Sequence, residues 1–177
     1  DVLFPDTNRY YEVDKNGNPT SDKWVYLIHG ANMTGQAMAD AVGHMYLEQG
    51  YNILAPDSRG CGNSDGKVEL GYIESLDAWD WLTYLNNTYG KKCQKVILHG
   101  ISLGGATTLF ASGLDVNGKT IKDQNVIGLV EDCGYTSLTD EIINKLLINN
   151  SNNNDVEENS DTYPNALDGL NRCELPI

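Results

Sequence analysis

Apolar residues in this chain fall into short unbroken runs separated by longer stretches where they recur every three or four positions. That is the pattern of strands alternating with helices. The first run, Trp24-Val25-Tyr26-Leu27-Ile28, has no polar interruption, as expected of a strand covered on both faces, and it ends in His29-Gly30. Thr34 stands where it can cap a helix with Met38, Val42 and Met45 on one face, and Gly50 supplies the stop. A second run, Tyr51-Asn52-Ile53-Leu54-Ala55, is broken by Pro56. From about Ser75 to Tyr89 another helix places Ala78, Trp81 or Leu82, Leu85 and Tyr89 on one broad face, and Gly90 ends it. Lys95 to His99 reads as a third strand. The helix after Ser102 carries Ala106, Phe110 and Ala111, with Gly113 as its stop. Val126 to Val130 is a fourth strand, closed by Glu131-Asp132. Leu138, Ile142, Ile143, Leu146 and Leu147 mark a helix running to about Asn149.

The alternation predicts an α/β fold, a three-layer α-β-α sandwich whose sheet is mostly parallel, and right-handed crossovers leave few topologies open. A single domain over residues 1–177 accommodates it, with enough chain for an apolar core. Asp1 to Lys23 is polar. Within it, Tyr10-Tyr11-Glu12-Val13 could form a short outer strand and Asn16-Gly17 a hairpin turn. Residues 149–162 are nearly all Asn, Ser, Asp and Glu, too polar to repay their ordering entropy, so a solvent loop or disordered insertion is expected there. Pro164 to Ile177, with Leu167, Leu170 and Leu175, suggests a short helix leading into a turn.

Charge narrows the partners. Twenty-five acidic residues against 12 Lys and Arg give −13, a surface that repels a phosphate backbone, so nucleic acid is not expected. Net acidity alone does not imply a cationic substrate. Cys61, Cys93, Cys133 and Cys173 are widely spaced with no CxxC pair, so neither a zinc knuckle nor a redox dithiol is signalled. No apolar run is long enough to span a bilayer, and the N-terminus has no signal-peptide pattern. A cytoplasmic location is favoured, with an extracellular or anchored full-length protein left open, because a removed leader leaves no trace.

The chemistry concentrates at Gly100-Ile101-Ser102-Leu103-Gly104-Gly105, between an apolar strand and an apolar-faced helix. A serine pinched there projects its side chain away from the backbone, and Gly100 and Gly104 remove Cβ atoms that would crowd the turn. The alternative is a structural serine in a Gly-rich turn. A nucleophilic Ser102 needs backbone N–H groups to meet charge developing on a carbonyl oxygen. Leu103 would supply one and Ala31, in His29-Gly30-Ala31-Asn32, the other. The chain has three histidines. His29 reads as a brace for that loop, His44 as surface or packing, and His99 as a brace for neighbouring loops. None follows Ser102, so a Ser-His-Asp relay cannot be assembled in its usual order.

Asp132, just past the fourth strand, could orient a histidine donated from elsewhere; otherwise it anchors the loop Cys133 to Ser137 or caps the next helix. Asp57 and Arg59 read as a loop-bracing ion pair, with Arg59 near a substrate carboxylate as the alternative. Cys61 and Cys133 could sit at the cleft rim, neither with a visible base. The Gly-rich turn lacks both the Rossmann spacing and the phosphate-loop lysine, which weakens a nucleotide-binding reading.

His99 to Gly105, together with His29-Gly30 and Asp57-Ser58-Arg59-Gly60-Cys61-Gly62-Asn63-Ser64-Asp65-Gly66, resembles the α/β-hydrolase superfamily. Val130 to Ser137 is similar to a segment of bacterial hydrolases of the serine aminopeptidase and carboxylesterase-like kind, and together these cover Trp24 to Leu147. The resemblance implies Ser102 as nucleophile, the backbone amides of Ala31 and Leu103 as oxyanion hole, and no metal or organic cofactor. It also implies two further strands whose loops deliver an acid and a histidine, both missing here, and it finds Cys61 where a histidine is common. The expectation is therefore a serine hydrolase acting on a carboxylic ester or small amide through an acyl-enzyme, these residues being the first part of a longer enzyme. The alternative is a catalytically inactive hydrolase-like scaffold or assembly protein. With the sheet ending at Val126 to Val130, that strand becomes an edge expected to pair with another chain or with a missing C-terminal segment.

Overall fold

The protein is described by a computed structural model over residues 2–3 and 19–137. The outer strand expected at Tyr10 to Val13, its Asn16-Gly17 turn, the helix from Leu138, the polar stretch 149–162 and the final turn all lie outside the described residues. The strands are β1 (Val2–Leu3), β2 (Lys23–Ile28), β3 (Asn52–Leu54), β4 (Lys95–Ile101) and β5 (Val126–Asp132); the helices are α1 (Gly35–Glu48), α2 (Tyr72–Tyr89) and α3 (Leu103–Ser112). Their order across the sheet is β1-β3-β2-β4-β5. β2 runs parallel to β3 and β4, β4 runs parallel to β5, and only β1 is antiparallel, against β3. The α/β class with a mostly parallel sheet is therefore observed.

The unbroken apolar run of β2 has a simple cause. Trp24, Tyr26 and Ile28 pack with Ala78, Leu82 and Leu85 of α2 and Ala111 of α3, while Val25 and Leu27 pack on the opposite face with Met38 and Ala39 of α1. Helices cover both faces, so successive side chains all find apolar surroundings. β5 borders the described sheet, with Ile127 and Val130 exposed at 41% and 37%. Among the described residues no helix is long and apolar enough to cross a membrane.

Two elements differ from the sequence pattern for identifiable reasons. Thr34 does cap α1, its hydroxyl accepting from the Ala37 N–H at 3.1 Å, but Met45 is 48% exposed rather than inward. The Tyr46 hydroxyl meets His99 Nδ1 at 2.9 Å, and a Cβ on Gly43 would lie 2.8 Å from Ile53 Cδ1. These two approaches centre the inward face between Ala39 and Tyr46 and leave Met45 on its margin. α2 starts three residues earlier than Ser75, at Tyr72. The buried Glu74 carboxylate accepts from the N–H groups of Glu69 at 2.7 Å and Gly71 at 2.8 Å, capping a helix entry that the apolar periodicity did not mark. Leu82 is buried while Trp81 is half-buried, which settles that pair.

Candidate active site

β4 ends at Ile101 and α3 begins at Leu103, so Ser102 alone makes the turn. Its φ of +55° and ψ of −115° lie in a region side chains rarely adopt. Such conformations cost about 1–3 kcal/mol and persist only where surrounding structure holds them. Two backbone bonds do so here. The Ser102 N–H donates to the Asp132 carbonyl at 2.7 Å, and the Ser102 carbonyl accepts from the Ala106 N–H at 3.0 Å. The side chain is exposed.

The flanking glycines make the turn possible by close approach. A Cβ on Gly104 would lie 2.9 Å from the His29 carbonyl oxygen and inside the Ile28 carbonyl; one on Gly100 would lie 2.5 Å from Thr108 Oγ1. Strand β2 and the start of α3 thus meet backbone to backbone. The same approach brings the loop after β2 alongside the serine: a Cβ on Gly30 would be 3.4 Å from Ser102 Cβ. Ala31 follows Gly30 in an exposed turn, and Leu103 is the first residue of α3, where an N–H has no intrahelical acceptor. Ser102 and the segments carrying Ala31 and Leu103 are therefore brought together.

His29 is fully buried, with both ring nitrogens engaged. Its Nε2 accepts from the Ser58 N–H at 2.8 Å, which leaves the proton on Nδ1 to donate to the Gly30 carbonyl at 2.8 Å. It ties the loop beside Ser102 to the loop after β3. His99 is buried and braces helix α1 through Tyr46 rather than neighbouring loops; burial holds its pKa below the usual value, against a smaller opposing pull from Asp132. His44 is exposed on α1. Among the described residues, none of the three histidines hydrogen-bonds Ser102.

Asp57 and Arg59 do not form the ion pair expected of them. Arg59 makes a two-pronged contact with Asp77 of α2, Nε to Oδ2 at 2.6 Å and Nη2 to Oδ1 at 2.5 Å. Asp57 instead accepts two backbone N–H groups, from Asn63 at 3.0 Å and from Gly35 at 2.9 Å, which hold its carboxyl below the usual carboxylate range. Eighteen residues separate Arg59 from Asp77, and no local pattern signals that pairing. Cys61 is half-buried; burial, with the charges of Asp57 and Glu74, pushes its thiol up against an opposing bond from the Asn32 N–H. Cys133 is exposed, with φ +50°, directly after β5. Asp132 ends β5 with its side chain exposed and its carbonyl engaged by Ser102.

A cavity of about 630 Å³ opens elsewhere, between α2, the loop after β3 and the floor of β2, and Ser102 is not among its lining residues. The strained turn and this cavity are therefore separate features of the molecule.

Comparison with known proteins places the chain in a family. Residues 19–120 match the family model for serine aminopeptidase, S33. A multifunctional-autoprocessing repeats-in-toxin protein of Vibrio vulnificus is 38% identical over 87 residues, 49% of this chain and 2% of the toxin. A thermostable monoacylglycerol lipase from a Bacillus species is 28% identical over 89 residues, 49% of this chain and 33% of the lipase. The esterase Pf2001 of Pyrococcus furiosus superposes with a TM-score of 0.65 at 23% identity, covering 89% of this chain and 59% of that one, a likeness of fold. The chain thus spans less than two thirds of the length of each of these three proteins. With its elbow, parallel sheet and matched residues taken together, the chain belongs to the serine aminopeptidase S33 family of the α/β-hydrolases.

Proposed function

We propose that the protein is, or forms part of, a serine hydrolase that cleaves a carboxylic ester or small amide through an acyl-enzyme. The observation that carries this reading is the exposed Ser102 held at φ +55° beside the Gly30 loop. Ser102 Oγ attacks the carbonyl carbon while its proton passes to an imidazole, and the carbonyl oxygen becomes an oxyanion received by the N–H groups of Ala31 and Leu103. The tetrahedral carbon then expels the leaving group, which takes that proton and leaves Ser102 acylated. Water, deprotonated by the same imidazole, releases the acid and restores the hydroxyl. Asp132 is the acidic residue proposed to orient the imidazole. The three histidines of this sequence are engaged or placed elsewhere, so the reading requires an imidazole from outside these 177 residues. The Bacillus lipase and the Pyrococcus esterase lend support for an ester substrate.

That same placement of the three histidines favours a second reading, a hydrolase-like scaffold without turnover. A fluorophosphonate probe separates the two. In the full-length protein, as its reading frame encodes it, labelling of Ser102 that Ser102→Ala abolishes is expected. A folded, unlabelled protein would favour the scaffold.

A further inference from the structure

The cavity beside α2 has features that the proposed hydrolysis does not use. Its floor is Tyr26 and Ile28 of β2, one wall presents Trp81 and Tyr84, and Asp65 and Asp80 are exposed on its rim. Tyr26 is only 4% exposed, yet its hydroxyl forms no hydrogen bond to protein among the described residues, and no wholly enclosed side-chain polar atom there lacks a partner. The hydroxyl is therefore at the small accessible edge of the residue, where it opens into the cavity. With no protein partner, that hydroxyl is free to bond a group that enters the cavity.

The charge around it has one sign. Five carboxylates line the cavity, those of Asp57, Asp65, Glu74, Asp77 and Asp80, against the single guanidinium of Arg59. Arg59 is already spent on Asp77, and Asp57 and Glu74 on backbone N–H groups. Asp65 and Asp80 remain to attract a cation. Trp81 and Tyr84 pack edge to face, with ring centroids 5.6 Å apart, and offer aromatic surface beside that acidic rim. Aromatic faces and carboxylates together favour an organic cation over a hydrated metal ion. The Tyr26 oxygen, able to accept a hydrogen bond, favours a cation that carries N–H donors. Burial and the neighbouring Asp77 charge both push the Tyr26 pKa up, so the phenol stays neutral in its acceptor role.

We propose that this cavity binds a primary alkylammonium ion, its head between the Tyr26 hydroxyl and the acidic rim and its hydrocarbon stem against Trp81. The ion is either a free amine or the side chain of a lysine, two sources of one chemistry. The site is separate from Ser102 and does not depend on the hydrolase reading.

Titration of the protein with n-butylammonium, Nα-acetyl-lysine amide and neutral n-butanol, followed by calorimetry or by amide chemical shifts, tests it. Saturable binding of n-butylammonium in the millimolar range is expected, with n-butanol at least about tenfold weaker and added salt weakening the cation alone. Tyr26→Phe, which loses no protein hydrogen bond and keeps the ring, should fold normally and bind about tenfold more weakly. Asp80→Asn, at an exposed position, should lower affinity in the same direction. Tighter binding of the lysine amide than of n-butylammonium would assign the ion to a partner protein, and equal or weaker binding would assign it to a free amine. Binding of n-butanol as tight as that of n-butylammonium, unchanged affinity in Tyr26→Phe, or no saturation below roughly 20 mM would overturn the proposal.

Discussion

The N–H of Ser102 donates to the carbonyl of Asp132 at 2.7 Å, tying the strained elbow to the last residue of the neighbouring strand. The bond joins two segments 30 positions apart in the chain, and it holds a conformation that the serine would not adopt alone. That strain should be measurable.

Ser102→Gly should stabilise the fold by about 1 kcal/mol, because glycine reaches φ +55° and ψ −115° without the Cβ penalty. Ser102→Ala, which keeps the Cβ, should leave stability nearly unchanged. Urea denaturation midpoints of the three proteins decide the matter. A glycine variant no more stable than the alanine variant would remove the strain from the account.

Gly104→Ala should be among the most damaging single methyl additions in the chain. The new carbon would press on the Ile28 and His29 carbonyls, which are backbone and cannot swing aside. A loss of about 3 kcal/mol, the upper end for overpacking, or failure to fold is expected in the same denaturation experiment.

His99 makes stability depend on pH near neutrality. Its folded-state pKa is lowered by burial from 6.5, so the unfolded chain binds the proton more tightly. The contribution is fully present above pH 6.5 and is lost as pH falls through that value towards the folded pKa. His99→Gln should flatten the stability profile between pH 7 and pH 5. Asp57, held below its usual 3.8, acts in a separate window, its contribution vanishing only as pH falls below that value. Denaturation midpoints at half-unit steps would resolve the two.

Arg59 and Asp77 should couple in a double-mutant cycle by about 1 kcal/mol, the upper range for a partly exposed pair with two-pronged geometry. Arg59→Gln and Asp77→Asn with their double variant provide the test by urea denaturation. Additivity within roughly 0.3 kcal/mol would mean the contact contributes nothing.

These residues also mark where sequence reading succeeds and where it stops. β2 and the turn at Ser102 were legible because their signals are local: five apolar residues in a row, then glycines spaced around one serine. The cap at Thr34 was legible for the same reason. Arg59 reads as a partner of Asp57 because the two are near neighbours in sequence, whereas the structure sends Arg59 to Asp77 on a helix that starts thirteen residues later. Met45 matched the helical period, but α1 is turned by the Tyr46–His99 contact and the close approach at Gly43, both long-range facts. Tyr26 read only as one apolar residue among five. Its unmatched hydroxyl depends on the surrounding wall, which no local pattern encodes.

The contact at Gly104 has an evolutionary corollary. Where two main chains touch with nothing between them, the spacing from the serine's backbone to the neighbouring loop is set by peptide geometry, not by how well any side chain fits. Surrounding residues can then drift, and new substrate-facing segments can be grafted on, without retuning that interval. What such a scaffold forfeits is tolerance at the point of contact, where even the smallest addition pries the two segments apart.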